Sequence, residues 1–356
     1  MKTRVADRMH RTRDIILRGI DEGVHSAAQL YVSVGGDVVT DEAFGPISTD
    51  HLMLWMSGGK PIAAAAVLML VARKLITLDT RICDVVPPFA ANGKDAITLR
   101  HILTHTAGFR GPLNNFTPGP FGAIIDRVCA LRQEAGWVAG EKAGYHVGSS
   151  WFVLGELIRI LDGRPIDRFV REEISGEIFV GMSTSELETV RGRLVEMKIT
   201  DASNRTPFAG NSDDAIVVSR PGANARGPIR ELGRFYERLL NCRVGKDDFL
   251  PQEIALQMTT RNRVGMHDAT FGQVLDWGLG VMIDSKEYAG EHQYGFGAHA
   301  SHDTFGHSGN QSSCGFADPK HELVIAWACD GMPGELLHQA RQREINSAVY
   351  QDLGLV

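Results

Sequence analysis

Between Pro61 and Ala72 the chain reads Pro-Ile-Ala-Ala-Ala-Ala-Val-Leu-Met-Leu-Val-Ala, with no polar side chain. A bilayer-spanning helix needs about 20 apolar residues, so this run is too short to cross a membrane. A helix that is apolar almost all round cannot rest on a surface and is expected between layers. The fold must therefore supply structure on both sides of this segment. At 356 residues the chain is long enough to do so within one or two domains.

The flanking segments suggest those layers. Residues 5–22 carry Ile15, Ile16, Leu17 and Ile20 in a helix-like pattern. Gln29–Val34 and Asp37–Asp41 flank Gly35-Gly36, which predicts a strand, a tight turn and a strand. From Leu75 to about Val264 the pattern is mostly helical: Ile97–Gly108 as a short helix stopped by glycine, Ser149–Leu161, residues 165–180, and Gly227–Asn241. Residues 187–225 are polar and irregular. After Trp277–Ile283 the period returns to strand, with Phe305–Phe316 and Leu323–Cys329 as two strands and Glu335–Tyr350 as a closing helix. The expected fold is thus α/β plus all-α: a sheet built from both chain ends, with a helical region inserted.

Composition narrows the partners. Hydrophobic residues make up 43% and charged residues 22%, an ordinary globular balance. The formal net charge of −6, without a lysine and arginine cluster, argues against nucleic acid or an anionic membrane. Cys83, Cys129, Cys242, Cys314 and Cys329 are scattered and odd in number, which argues against a disulfide framework and suits a reducing compartment. The charged Met1–Arg8 stretch has no apolar region after it, so no secretory signal and a cytoplasmic location are expected.

Three segments can carry chemistry. Ser57 opens the apolar run and Lys60 follows three residues later, one helical turn away on the same face. A serine hydroxyl needs a neighbouring base, and a buried lysine can be one. A helix N-terminus there would also favour an oxyanion. An N-cap serine and a surface lysine give the same spacing. Tyr145 stands at a loop-to-helix junction, placed either to relay a proton or simply to pack. Phe305-Gly306-His307-Ser308-Gly309-Asn310 puts glycines inside a strand, which marks a close approach to the backbone or a bend. His101 and His105 are four apart, but Ile102 stands where a zinc-protease helix needs glutamate. His292, His299, His302 and His307 lack carboxylates at metal-site spacing. No dinucleotide or phosphate-loop fingerprint is present. No metal or cofactor is expected.

Ser57-Gly58-Gly59-Lys60, Tyr145-His146-Val147 and His307-Ser308-Gly309 stand in the order and rough spacing of the serine β-lactamase-like superfamily. The chain most resembles class C β-lactamases and family VIII carboxylesterases. Stretches such as Ile97–Gly108, Gly222–Gly227 and Trp277–Gly280 extend the resemblance over nearly the whole length. It implies an antiparallel sheet flanked by helices, formed by residues 1–77 and 265–356, with 78–264 as the helical insertion and the site in the cleft between them. It further implies that Ser57 is the nucleophile, that Lys60 and Tyr145 are the coupled base and proton shuttle, and that the Ser57 and Asn310 backbone N–H groups form the oxyanion hole. His307, Ser308 and Gly309 would border the substrate.

Two departures from that family pattern matter. Val147 replaces the asparagine that helps hold a β-lactam side chain, and His307 replaces a lysine that pairs with the drug's carboxylate. The expected activity is therefore a carboxylesterase or a transacylase, taking a small-molecule ester and, for the latter, an amine or alcohol acceptor. A β-lactamase or D-amino-acid peptidase is the alternative, and a non-catalytic binding protein on the same fold is a third. Residues 109–136 and 187–225 are expected to line or cover the cleft, with Phe109, Phe116, Phe121 and Trp137 as a partly apolar wall or as core.

Overall fold

The computed structural model describes residues 9–111, 116–201, 207–289 and 294–356. Met1–Arg8 and His292, both singled out above, lie outside the described residues.

Six strands form one antiparallel sheet in the order Asp37–Phe44, Ala28–Val34, Leu323–Cys329, Ser313–Asp318, Phe305–Gly309, Met282–Ile283. Strands from the two ends of the chain are neighbours: Ala28 pairs with Cys329 and Val34 with Leu323. Every residue of Leu323–Cys329 is buried, because helices cover both faces of the sheet. Side chains alternate between the faces as the strand period requires. Leu30, Val32, Ile325, Trp327 and Phe316 meet the terminal helices, His10–Asp21 and Glu335–Asp352. Tyr31, Val324, Ala326 and Ala328 face the opposite layer, where the Ile229–Arg243 helix packs through Leu232, Phe235 and Tyr236. The terminal helices are tied together at Asp352, whose carboxylate accepts from both the backbone and the hydroxyl of Thr12, each at 2.9 Å.

The apolar run behaves as its composition requires. Lys60–Ala72 is a helix whose residues Ile62–Leu68 are all inaccessible to solvent. It packs on Ser149–Asp162 and Ile166–Glu173 on one side and on the Phe305–Gly309 strand on the other. Alanine suits this position because the neighbours come so close: a Cβ on Gly280 would stand 2.3 Å from that of Ala64.

Several boundaries differ from the sequence-based expectation. Phe305–Phe316 is not one strand but a hairpin, Phe305–Gly309 and Ser313–Asp318, turning at Asn310–Ser312 with Gln311 at φ 50°. The polar Gly309-Asn310-Gln311-Ser312 run is the signal for this turn, and the reading of one continuous strand passed over it. The Ile97–Gly108 helix shrinks to Leu99–Leu103, capped by Thr98, and ends before His105, a non-glycine residue at φ 57°. Asp213–Val217 is a helix inside the 187–225 stretch read as irregular and Thr184–Val190 is one that runs into it, each opened by a serine cap, Ser212 and Ser183. Within the 78–264 span, Ile229–Arg243 lies against the sheet. Among the described residues no helix is long and apolar enough to cross a membrane.

Candidate active site

Ser57 lies in a short 3-10 turn, Met56–Gly59, that leads directly into the Lys60–Ala72 helix. In 3-10 geometry residues i and i+3 eclipse, which stacks Ser57 under Lys60. The turn is clamped from several sides. The Trp55 carbonyl accepts the Ser313 hydroxyl at 2.6 Å and the Gly58 N–H at 2.9 Å. The Trp55 N–H donates to Ala225 at 2.9 Å. Met56 is held at φ 49°, a conformation costing about 1–3 kcal/mol for a side chain of this kind. The adjoining glycines are dictated by space. A Cβ on Gly59 would stand 2.3 Å from that of Ala225, and one on Gly309 would stand 2.2 Å from the Trp55 carbonyl oxygen.

Lys60 is fully buried, so the surface-lysine reading fails. Its Nζ is 2.9 Å from Ser57 Oγ, 2.9 Å from the Val147 carbonyl and 2.6 Å from the Gly222 carbonyl. Among the described residues it has no carboxylate partner. Desolvation therefore drives its pKa well below that of a free lysine. A neutral amine has two N–H bonds and one lone pair. With both N–H groups on carbonyls, the lone pair is left for the Ser57 hydroxyl.

The Tyr145 hydroxyl also hydrogen-bonds with Ser57, and burial raises its pKa above the ordinary value, so it stays protonated. The Lys60 Nζ is 5.2 Å from the centres of the Tyr145 and Trp151 rings. A buried pair fixes the Tyr145 backbone. Asp268 accepts from the N–H groups of Tyr145, Thr270 and Phe271 at 3.0, 2.9 and 3.2 Å. Its other oxygen is 3.1 Å from the Arg263 guanidinium. His105 stacks behind Tyr145 at 4.7 Å and meets Trp277 edge-on at 4.5 Å. The His146 N–H donates to His105 Nδ1 at 2.9 Å, which leaves the neutral ring's proton on Nε2.

His307 is buried, and its Nδ1 is 2.7 Å from the Ser308 carbonyl, which fixes Nδ1 as the donor. Burial lowers its pKa to about 3. It is uncharged near neutrality. The Ser308 hydroxyl turns away toward the closing helix, accepting from Gln342 at 2.9 Å and donating to the Tyr294 carbonyl at 3.3 Å. Asn310 follows the strand at the mouth of the site.

These groups border one cavity of about 360 Å³, lined by Ser57, Tyr145, Val147, Phe271, Tyr294, His307, Asn310 and Glu335, among others. No described residue of 109–136 or 187–225 lines it; residues 112–115 and 202–206 of those stretches lie outside the described residues. Phe109 packs on Phe89 and His146, Phe121 on Phe152, Phe116 on Phe208, and Trp137 on Arg110. Phe109 is core, and Phe116 with Phe208 packs on the cluster that holds Met56, the residue before Ser57. Phe271, Tyr294 and Met282 form the apolar wall instead. The Val147 and Gly222 carbonyls, Asp268 and Glu335 were not singled out from sequence, and His105 was weighed there only as a metal ligand. The carbonyls carry no side-chain signature, and Gly222 stands 162 residues from Lys60.

Esterase/beta-lactamase LipL from Mycobacterium tuberculosis is 24% identical over 316 residues, covering 79% of this chain and 70% of that protein. Esterase EstB from Burkholderia gladioli is 26% identical over 292 residues, covering 71% and 72%. The solved structure of a penicillin-binding protein homologue from Caulobacter crescentus superposes with a TM-score of 0.80 at 24% identity, covering 97% of this chain and 98% of that one. The Beta-lactamase family matches residues 10–350, nearly the whole sequence. With its antiparallel sheet, flanking helices and a serine–lysine pair in the cleft, this chain belongs to the Beta-lactamase family.

Proposed function

We propose that this protein is a serine hydrolase that takes acyl groups from small esters through an acyl-enzyme on Ser57, passing them to water or to an amine or alcohol. One observation carries this: Lys60 Nζ sits 2.9 Å from Ser57 Oγ with its two N–H groups engaged by Val147 and Gly222. That arrangement suits a neutral base. The similarity to EstB and LipL supports an ester substrate. Five unpaired cysteines support a cytoplasmic location.

The steps follow from the positions. Lys60 takes the Ser57 proton as Oγ attacks the ester carbonyl. The tetrahedral oxyanion is held by the N–H groups of Ser57, in the first turn of its helix, and of Asn310. As the C–O bond breaks, Tyr145 gives its proton to the leaving alcohol and recovers one from Lys60. Water or another nucleophile then attacks the acyl-enzyme by the same steps in reverse, and Ser57 regains its proton. A β-lactam carboxylate would meet an uncharged His307 and the Glu335 carboxylate, which favours esters over β-lactams.

Intact mass after fluorophosphonate treatment tests this. One adduct is expected on the wild type and none on Ser57→Ala; equal labelling of both would overturn it. Ester turnover with and without added amines separates the two acceptors, because transacylation yields an amide and speeds ester loss.

A further inference from the structure

Glu335 supplies the one carboxylate that lines the Ser57 cavity among the described residues. The groups that touch it are neutral. The Tyr294 hydroxyl donates to it, 2.6 Å from each oxygen, and the Gln311 amide is 3.4 Å away. Both of these neighbours hold non-glycine backbones at positive φ, 59° for Tyr294 and 50° for Gln311. The other charges near the cavity are matched elsewhere. Arg110, which reaches Thr270 on the cavity wall, is paired with Glu134, and Arg263 is paired with Asp268.

Aromatic rings lead from the serine to this carboxylate. Tyr145 contacts Phe271 at 4.9 Å between ring centres, and Phe271 contacts Tyr294 at 6.1 Å. All three line the cavity. Electron-rich ring faces ending at a carboxylate match an organic cation, which gains from both. Glu335 also opens the Glu335–Asp352 helix, and a helix N-terminus favours a carboxylate on its own account. That explains a negative charge at this position but not the line of rings that ends on it at Tyr294.

Resting on the acyl-transfer chemistry above, we propose that Glu335 with Tyr294 and Phe271 forms a subsite for an ammonium group, and that the preferred substrate carries one. The reacting carbonyl sits at Ser57 and the cation at the Glu335 end, joined by a short apolar spacer along the Phe271 wall.

Two measurements test this. In the first, butyltrimethylammonium is titrated into the full-length protein by calorimetry, which needs no turnover. Saturable binding is expected, weakened about tenfold in Glu335→Gln and less in the charge-retaining Glu335→Asp. No binding to the wild type, or equal binding to Glu335→Gln, overturns the subsite whatever the enzyme's activity. In the second, kcat/KM is compared for the p-nitrophenyl ester of trimethylammonio-butanoic acid and for that of its uncharged tert-butyl isostere. The charged ester is expected to lead by about tenfold, with the ratio falling toward one in Glu335→Gln. A wild-type ratio of one overturns the substrate class. Binding without fluorophosphonate labelling of Ser57 would leave the subsite standing and sink the acyl-transfer chemistry instead.

Discussion

Among the described residues two lysines, Lys60 and Lys94, are completely buried, and neither is ion-paired with a carboxylate. Their surroundings differ in one acceptor and in depth, Lys60 lying deeper in the protein. Lys94 Nζ donates to three carbonyls, those of Ala91, Cys129 and Leu131, the last two at the C-terminal end of the Phe121–Ala130 helix. Three carbonyls and a helix C-terminus suit an ammonium ion with all its protons. Lys60 has two carbonyls and a hydroxyl. Burial lowers both pKa values, but only Lys60 is driven far down. The lysine proposed as the base is thus the one whose third neighbour is a hydroxyl that can itself give up a proton.

The buried histidines extend the contrast, since they too have shed their protons. His146 and His307 are lowered to about 3 and His25 to about 4, while His105 and His338 also lie well below the usual value, all chiefly through burial. In the unfolded chain each would titrate near 6.5. Below that pH the unfolded state binds more protons, so stability falls as pH drops toward the folded-state values. Five such groups give a slope approaching about 7 kcal/mol per pH unit, and total stability is about 5–15 kcal/mol. Melting curves between pH 7.5 and pH 5 should therefore show the fold collapsing within about two units below 6.5. A melting temperature that stays level to pH 5 would mean these rings hold protons in the folded state.

Breaking Lys60 should cost the next most. Lys60→Arg cannot give up a proton, so kcat/KM should fall about 10³-fold or more, whereas Lys94→Arg should retain activity in whatever fraction folds. Equal losses in both would end the distinction. If Lys60 is the base proposed above, the wild-type profile should keep its activity at pH values far below 10.5 and lose it as pH falls through the lowered pKa. Lys94→Met leaves three buried carbonyls without donors and should cost about 3 kcal/mol in urea titrations. Ser308→Ala should do least. Its hydroxyl serves the closing helix through Gln342, so about 1 kcal/mol of stability is expected to go, with little change in kcat/KM. A large kinetic loss would place the hydroxyl at the substrate after all.

Much of this was legible in the sequence where the signal is local. Gly35-Gly36 announced the first hairpin, and the polar-free run from Pro61 required burial on all sides. Ser57 and Lys60 could be paired because three residues is one helical turn. What escaped is long-range or made of backbone. The carbonyls of Val147 and Gly222 decide the state of Lys60, yet any residue offers a carbonyl, and these come from 87 and 162 positions away. Phe109 and Phe121 read as wall or as core with equal ease, because an apolar side chain does not declare which cavity it faces. Glu335 looks like any acidic residue at a helix start until Tyr294 and Phe271 stand opposite it.

The clamp on the Ser57 turn also governs the order in which the enzyme comes alive. Its strained Met56 is held in place by Trp55, whose carbonyl is gripped by Ser313 and crowded by Gly309. On the ribosome, Ser57 emerges long before either. On the acyl-transfer reading proposed above, the nascent chain holds Ser57 in a turn not yet clamped, and the site is complete only when the C-terminal strands close the sheet. Synthesis that stops short of those strands yields an inert chain rather than an uncontrolled acylating one.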